Sequence, residues 1–465
     1  KIPLLKREDM KKEAAAYVNE ERGSKEAPVL YHNIFTNGIG YLNLVFDASH
    51  VPARLFPYIG ILKSIFTLMV DTEHYSYSDL YNEIRIHTGG TKMVFNVYTN
   101  AKDMAKVKPT FEARTKFLFN QKDKAVELLE EILIHADFTD TKRLYEILAE
   151  YKSDMQATMQ SAGHSLAAIR AMSYFSKSAA VTEQVNGIPQ YRLLEELTKN
   201  FEDHKEELVA NLKELCQYLF QFHQTILPEN LLLDYTAPEE GYAGIEEAVD
   251  RLRKKLYTGE IAKETYEPVT EKKNEGFLTA GQVQYVCRAG NFIREGLPYT
   301  GALRVLKVMM GYDYLWNQVR VVGGAYGCMC SFGRNGDAYF VSYRDPNLEK
   351  TIRTYEQAAD YIAGCRLDER EVTQFIIGAV SELDTPMTPA VKGIYSLGGY
   401  MTGFSMERLQ KERDELLAVT PEIIQGLGRQ VAAFMRQDYI CVVGNGNKLK
   451  ESKELFMNME QLFRS

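Results

Sequence analysis

The side chains of this chain that could bind a metal are its eight histidines and six cysteines. A zinc site built on a helix uses two histidines one helical turn apart, with an acid between them as general base. No histidine here has a second histidine four positions away; they lie at His32, His50, His74, His87, His135, His164, His204 and His223. Cys328 and Cys330 can share one face of a strand, but no second ligand pair accompanies them. The sequence therefore predicts no metal site in this chain.

The strongest pattern in the sequence is a phrase that occurs twice. It reads LYNEIRIHTGG at residues 80–90 and LWNQVRVVGG at residues 315–324, an offset of 315 − 80 = 235 residues. Each copy places an arginine, Arg85 or Arg320, shortly before a glycine pair. After the glycines the second copy continues Ala-Tyr-Gly, ending at Gly327, where the first continues Thr-Lys-Met. A repeated helix end, Gly–Gly turn and strand indicates a duplicated domain.

The elements around the two phrases follow the same order. Apolar runs at residues 55–70 and 299–310 predict buried helices before each phrase, and alternating segments at 92–99 and 338–344 predict strands after it. Helical periodicity then dominates residues 124–226 and 348–435. The predicted fold class is α+β: two duplicated domains, each a mixed, mainly antiparallel sheet with helices packed on one face. We expect a linker at 1–26, a domain at 27–257, a linker at 258–276 and a domain at 277–465.

Composition limits the classes of function. The chain has 55 Lys and Arg against 63 Asp and Glu, a net charge of −8, and no long basic run, so no nucleic-acid partner is expected. No apolar run approaches the roughly 20 residues of a membrane span. The cysteines form no C-x-x-C motif and lie mostly in apolar context, which favours buried free thiols and a reducing compartment.

The duplicated order, the paired phrases and the string RVVGGAYG resemble the insulysin/pitrilysin family of inverted-motif zinc metallopeptidases, most closely its presequence protease branch. The opening KIPLLKREDMKKE resembles the linker that enters the C-terminal half of those proteins. The resemblance covers essentially the whole chain, but only as the second half of a four-domain enzyme. It implies that residues 27–257 and 277–465 are the third and fourth αβ domains.

The resemblance assigns roles to five residues of the second phrase. In such proteases the C-terminal half supplies an Arg and a Tyr, which match Arg320 and Tyr326, to the substrate at the zinc. A Tyr hydroxyl can stabilise a developing oxyanion, and an Arg can hold a backbone carbonyl. Gly323, Gly324 and Gly327 would let the substrate backbone approach closely. Without the resemblance, Arg320 could equally be a helix C-terminal arginine and Tyr326 a core aromatic residue.

The metal motif of the family, H-x-x-E-H, is absent from this chain, and the comparable segment SHVPARLFPY keeps only His50, which we interpret as structural. The resemblance therefore implies zinc bound by a missing N-terminal half, on the same polypeptide or a partner chain, and peptide substrates. The start at Lys1 without methionine agrees with a fragment or a processed chain. This chain alone is expected to be inactive. It would be cytoplasmic in a bacterium and in the organellar matrix in a eukaryote.

Two alternatives remain open at this stage. The chain could be a zinc-free partner or scaffold subunit of the same fold, although retention of both Arg320 and Tyr326 favours the enzyme. It could also be an unrelated duplicated α+β binding protein if the resemblance is coincidental.

Overall fold

The computed structural model describes residues 4–221, 230–262 and 264–464. His223 and the end of the helical segment expected to reach residue 226 lie outside the described residues. Two six-stranded mixed sheets, one in each half, form the framework. The first contains β1 (Glu20–Gly23), β2 (Pro28–Asn33), β3 (Ile39–Asp47), β4 (Thr91–Thr99), β5 (Val107–Leu118) and β6 (Leu231–Ala237). The second contains β7 (Glu275–Thr279), β8 (Tyr285–Asn291), β9 (Gly327–Phe332), β10 (Asp337–Tyr343), β11 (Tyr439–Asn445) and β12 (Asn458–Gln461).

The two sheets share one topology. Their strand orders are β1-β2-β6-β3-β5-β4 and β12-β7-β11-β8-β10-β9, so each strand of the second sheet has a counterpart in the first. A parallel pair, β2 with β6 and β7 with β11, lies beside an antiparallel run in both. The α+β duplication expected from the repeated phrase is confirmed in the topology.

The helices of the first half are α1 (Tyr58–Leu68), α2 (Tyr77–His87), α3 (Lys122–Ile134), α4 (Thr141–Ser161), α5 (Gly163–Ser173), α6 (Lys177–Asn186), α7 (Ile188–Lys199), α8 (Phe201–Leu219), α9 (Glu239–Tyr242) and α10 (Ile245–Arg253). Those of the second half are α11 (Ala302–Tyr312), α12 (Glu349–Glu356), α13 (Ala358–Gly364), α14 (Glu369–Leu383), α15 (Pro389–Thr402), α16 (Met406–Leu417), α17 (Pro421–Gly426), α18 (Gly428–Arg436) and α19 (Gly446–Glu451). Within the described residues, no helix combines the length and apolar character that a bilayer span requires.

Matching helix starts are encoded locally. Asp140, expected as an N-cap, accepts the backbone N–H of Arg143 at the start of α4. Its counterpart Asp368 caps α14 in the same way, and Glu371 returns a hydrogen bond to the backbone of Asp368. These side chains satisfy N–H groups that the first helical turn leaves without partners.

One local expectation is only half correct. Asn37 and Gly38 do form the turn that the sequence indicates, both with positive φ (54° and 86°). The strands on either side, β2 and β3, nevertheless do not pair with each other, because β6 lies between them. A distant strand with nearly every side chain buried competes successfully for this central position. The hairpin turn at Asn335 and Gly336, in contrast, joins the directly paired strands β9 and β10.

The two halves exchange helices. Helix α5 of the first half packs against β8, β10 and β11, and α15 of the second half packs against β2, β4 and β6. Glycine permits each close approach: a Cβ at Gly163 would lie 2.4 Å from the Tyr285 ring, and one at Gly393 2.1 Å from Thr236 Oγ1. Helices thus cover one face of each sheet from its own half, and a helix of the other half covers part of the opposite face.

The segment at 4–26, which we expected to be a linker, crosses both halves. Val18 donates its backbone N–H to Ser396 Oγ at 3.0 Å, and Tyr17 packs on Tyr395 with ring centroids 4.8 Å apart. The chain then enters the first sheet as β1. This path ties α15 to the edge of the sheet on which it rests.

Candidate functional site

The second copy of the repeated phrase leaves its helix through a π-helical turn. Residues Trp316–Val321 form this turn, and Val322 donates its backbone N–H to the carbonyl of Asn317, five residues back, at 2.9 Å. Val319 is buried and anchors the turn to the core. The first copy instead continues α2 as a regular α-helix to His87. Wide turns of this kind occur often at functional sites, because they displace side chains from the regular helical positions.

The glycine pair then reverses the chain into β9. Gly324 has φ +83°, a conformation that side-chain-bearing residues rarely adopt. Its N–H donates to the carbonyl of Arg320 at 2.8 Å, while Asn347 Nδ2 donates to the carbonyl of Gly323 at 2.6 Å. The turn is therefore fixed from both sides. The residues after it, including Gly327, are placed on the edge strand β9.

Arg320 and Tyr326 meet at this turn. The Arg320 guanidinium carbon lies 4.0 Å from the centroid of the Trp316 ring and 5.5 Å from that of Tyr326. Tyr326 is 65% exposed, and Arg320 forms no ion pair with the described residues. The guanidinium is thus held by two aromatic rings while its N–H groups remain available. Neither residue takes the purely structural role considered from the sequence, since Tyr326 is not in the core and Arg320 has no acidic partner in the described chain.

The first copy keeps part of this arrangement. Arg85 lies 5.5 Å from the ring centroid of Tyr81 and donates to its hydroxyl at 3.1 Å. The i, i+4 spacing of aromatic and arginine is therefore common to both copies. The first copy lacks a tyrosine after its glycine pair, so the second aromatic ring is specific to the second half.

A histidine from the first half approaches the same region and was missed in the sequence analysis. The ring of Tyr343 lies 5.8 Å from that of Tyr326 and, in an edge-on contact, 4.9 Å from that of His164. His164 lies in the first turn of α5, the exchanged helix. Burial lowers the pKa of His164, and its Nδ1 is buried without a hydrogen-bond partner among the described residues. No local sequence signal could have placed His164 here, because its position depends on the helix exchange.

The cysteines of β9 turn away from the exposed edge. Cys330 Sγ lies 3.7 Å from the carbonyl oxygen of Lys307, and Cys328 Sγ lies 3.6 Å from the Tyr355 hydroxyl. Burial raises the pKa of Cys330 to about 12 and raises that of Cys328 as well. All six cysteines are free thiols, and five of them are buried. Cys328 and Cys330 therefore behave as core residues.

The described residues do not fit a catalytic zinc ion. Such a site needs three protein ligands, and no group of three or more His, Cys, Asp or Glu side chains suited to a metal occurs in the described ranges. His74 and His135 come close, with ring centroids 5.5 Å apart, but each is held by a glutamate. His50 lies alone in the turn after β3, with its Nδ1 buried and unpaired.

Comparison with known proteins is consistent along the chain. Residues 1–197 match the family model for a domain associated with M16 peptidases of subgroup C, and residues 274–430 match "PreP C-terminal domain". The chain is 37% identical over 463 residues to "Protein HypA" of Clostridium perfringens, covering 100% of this chain and 47% of that protein. It is 27% identical over 425 residues to "Presequence protease 1, chloroplastic/mitochondrial" of Arabidopsis thaliana, covering 90% and 38%. The chain thus spans less than half the length of these relatives.

Solved structures agree on the fold. A crystal structure described as the peptidase M16 inactive domain from Pseudomonas fluorescens matches with a TM-score of 0.62 at 13% identity, covering 92% of this chain and 98% of that one. A conserved protein from Enterococcus faecalis matches with a TM-score of 0.64 at 14% identity, covering 93% and 99%. With both family models, the relatives along the whole chain and this fold in agreement, the chain belongs to the M16 metallopeptidase family, as the C-terminal half of its presequence protease branch.

Proposed function

We propose that this chain is the zinc-free C-terminal half of a metalloendopeptidase that degrades unfolded peptides in a closed clamshell chamber. Residues 27–257 and 277–465 would be its third and fourth αβ domains, joined by linkers at 1–26 and 258–276. The observation that carries the proposal is the exposed pair of Arg320 and Tyr326 at a rigid, glycine-bearing turn. The zinc would be held by an N-terminal half, on the same polypeptide or a partner chain, where it would act as a Lewis acid.

In this proposal the two side chains act on one peptide bond. The Tyr326 hydroxyl donates to the oxyanion that develops as the scissile carbonyl is attacked, which lowers the barrier because the donor is already in place. Arg320 donates to a neighbouring backbone carbonyl and fixes the register of the peptide. Gly323, Gly324 and Gly327 keep the surface free of side chains where the peptide passes. The substrate can pair with the outer edge of β9, which reads backbone rather than side chains.

Peptide binding to this half can be observed directly, because Trp316 is the only tryptophan in the sequence. An unfolded peptide that contacts Arg320 should shift the emission of Trp316, since the two side chains are stacked. Arg320→Ala should abolish the peptide-dependent part of the shift. Arg85→Ala, which changes the counterpart arginine in the first copy, is the matched control and should leave it intact. A shift that persists in Arg320→Ala would remove this residue from the proposal.

Catalysis is tested by mixing the chain with a separately produced N-terminal half and measuring peptide hydrolysis. We expect no hydrolysis by the chain alone and hydrolysis when the halves combine. Tyr326→Phe should lower turnover by roughly 10²-fold, the loss typical of one oxyanion donor, with zinc content unchanged. Tyr312→Phe, an exposed tyrosine at the end of α11, is the control. Full turnover by Tyr326→Phe would instead favour a scaffold role for this half.

A further inference from the structure

The first half contains a cavity of about 480 Å³ that the proposed catalytic role does not use. Strands β3, β4 and β5 form its floor, the glycine pair Gly89 and Gly90 forms one rim, and the first turns of α15 form the opposite wall. Its volume lies within the range of ligand sites, roughly 300–1,000 Å³. The two halves together build it, because α15 is the helix that crosses from the second half.

The cavity is cationic although the chain as a whole is acidic. Lys92, Arg114 and Lys116 line it, while the net charge of the protein is −8. Lys92 lies directly opposite Arg114 across β4 and β5, and Lys116 is two residues further along β5 on the same face. Like charges placed opposite each other in a sheet destabilise it unless an anion lies between them.

Only one of these three cations has a carboxylate partner in the described chain. Arg114 Nη2 lies 2.6 Å from Oε2 of Glu112, whereas Lys92 and Lys116 form no ion pair with the described residues. Both lysine side chains are exposed. The acid that lines the cavity, Asp234, is already bonded to His32 Nε2 at 2.6 Å, and His32 Nδ1 lies 2.6 Å from the carbonyl of Val18. Asp234 and His32 thus satisfy each other, and two positive charges are left uncompensated.

The rest of the lining is suited to a peptide. Val391 and Ile394 of α15 provide apolar surface, and Val391 is 52% exposed. Strand β4 is the outermost strand of the sheet in the described chain, so an extended peptide can pair beside it. Backbone pairing, apolar contact and two unpaired ammonium groups together select a peptide that carries a carboxylate.

The position of the cavity in the duplication strengthens this argument. Its rim, Gly89 and Gly90, is the first copy of the glycine pair beside Arg320 and Tyr326. Strand β4 is the topological counterpart of β9, and both are edge strands. The two copies thus present equivalent turns with different chemistry, one aromatic and the other cationic.

We propose that this cavity binds a carboxylate of the peptide, at its C-terminus or on an acidic side chain, at a distance from the bond that is cleaved. Lys92 and Lys116 are the ligands of the carboxylate, and Arg114 remains paired with Glu112. The assignment rests on the proposed role of the chain in peptide binding. Its consequence is a preference for peptides with an acidic or free C-terminal end.

The test measures binding without hydrolysis, so its outcome is independent of whether the reconstituted halves cleave peptides. Four rhodamine-labelled decapeptides of Ala, Gly and Ser would end in Glu-Ala or Gln-Ala, each as the free acid or the amide, and anisotropy would report binding to the 465-residue chain. The Gln-Ala amide, which has no carboxylate, should bind most weakly. A preference for the two free acids identifies the C-terminus as the source of the carboxylate, and a preference for the two Glu peptides identifies the side chain.

The double variant Lys92→Gln/Lys116→Gln should weaken binding of the preferred peptides roughly tenfold, the loss expected for a charge-assisted hydrogen bond. It should leave the Gln-Ala amide unaffected. Lys102→Gln/Lys142→Gln is the matched control, since both of these lysines are exposed and neither lines the cavity. Equal affinity of the two double variants would overturn the assignment, as would equal binding of all four peptides. Displacement by inorganic phosphate at concentrations where acetyl-glutamate has no effect would also overturn it.

Discussion

The guanidinium group of Arg170 donates hydrogen bonds to both carboxylate oxygens of Glu275, at 2.6 and 2.9 Å, and thereby joins α5 of the first half to β7 of the second. The same guanidinium donates to Glu183 at 2.9 Å, and the Tyr174 hydroxyl donates to Glu275 at 2.9 Å. All of these side chains are buried. The two acids share a single arginine, and burial raises the pKa of Glu183 despite that arginine. This network lies where the exchanged helix α5 meets the second sheet.

Removing the arginine from this network should be strongly destabilising. Arg170→Ala leaves two carboxylates buried without a counter-charge, which costs roughly 3–5 kcal/mol when one partner of a buried ion pair is lost. Urea unfolding measures the change in the free energy of unfolding. Asp250→Asn, which breaks an exposed pair with Lys254 on α10, is the control and should change it by less than about 1 kcal/mol. An Arg170→Ala variant as stable as this control would show that the network does not hold the halves together.

The helix exchange gives a prediction that uses two glycines of one helix. In Gly393→Ala the new methyl group would meet Thr236 Oγ1 at 2.1 Å, so α15 must move away from the first sheet; overpacking of this kind costs typically about 1–3 kcal/mol. Gly398, also in α15, has no atom within 4 Å of an added Cβ. Gly398→Ala should therefore stabilise the protein by roughly 0.5–1 kcal/mol through helix propensity. Thermal and urea unfolding of the two variants should give opposite signs, and the same sign would contradict the packing of α15.

The turn beside Arg320 gives a similar contrast. Gly324→Ala has room for the methyl group, whose nearest neighbour is Pro346 Cγ at 3.6 Å, but must keep a φ of +83°. We expect a loss of roughly 1–2 kcal/mol from the left-handed conformation alone. Gly311→Ala, in the last turn of α11 with nothing within 4 Å of the added Cβ, should be neutral or slightly stabilising. If Gly324→Ala were equally harmless, the turn would not require a positive φ.

The titration of His164 reports the fit of α5 against the second sheet. Burial lowers the pKa of its imidazole, so the folded protein holds the neutral ring at pH values where the unfolded chain binds a proton. The stability contributed by this histidine is fully present above the unfolded pKa and is lost as the pH falls through the folded pKa. NMR of histidine-labelled protein should show His164 titrating below the ordinary range near about 6.5. A pKa at or above that range would mean that the ring is solvated and that α5 is not seated as described.

Several features of the fold could be predicted because they are encoded locally. The repeated phrase predicted the duplication, Asp140 predicted the start of α4, and the Asn335–Gly336 pair predicted the hairpin of β9 and β10. The short strands β1 and β12 were not predicted, because four-residue segments such as EERG and NMEQ carry no apolar alternation. The π-helical turn was also missed, since LWNQVRVV has the composition of an ordinary helix.

The sequence by itself determined the family, the duplicated topology and the candidates Arg320 and Tyr326, whose roles remain predictions, because all of these lie in contiguous strings and their spacing. Only the tertiary structure decided what surrounds them. It brought His164 to the ring of Tyr343, paired Arg170 with Glu275, and placed α15 over Lys92 and Lys116 to close the cationic cavity. Each of these contacts joins residues far apart in the chain or depends on a helix that crosses between the halves. Such contacts are set by the packing of whole elements, which no local spacing of residue types encodes.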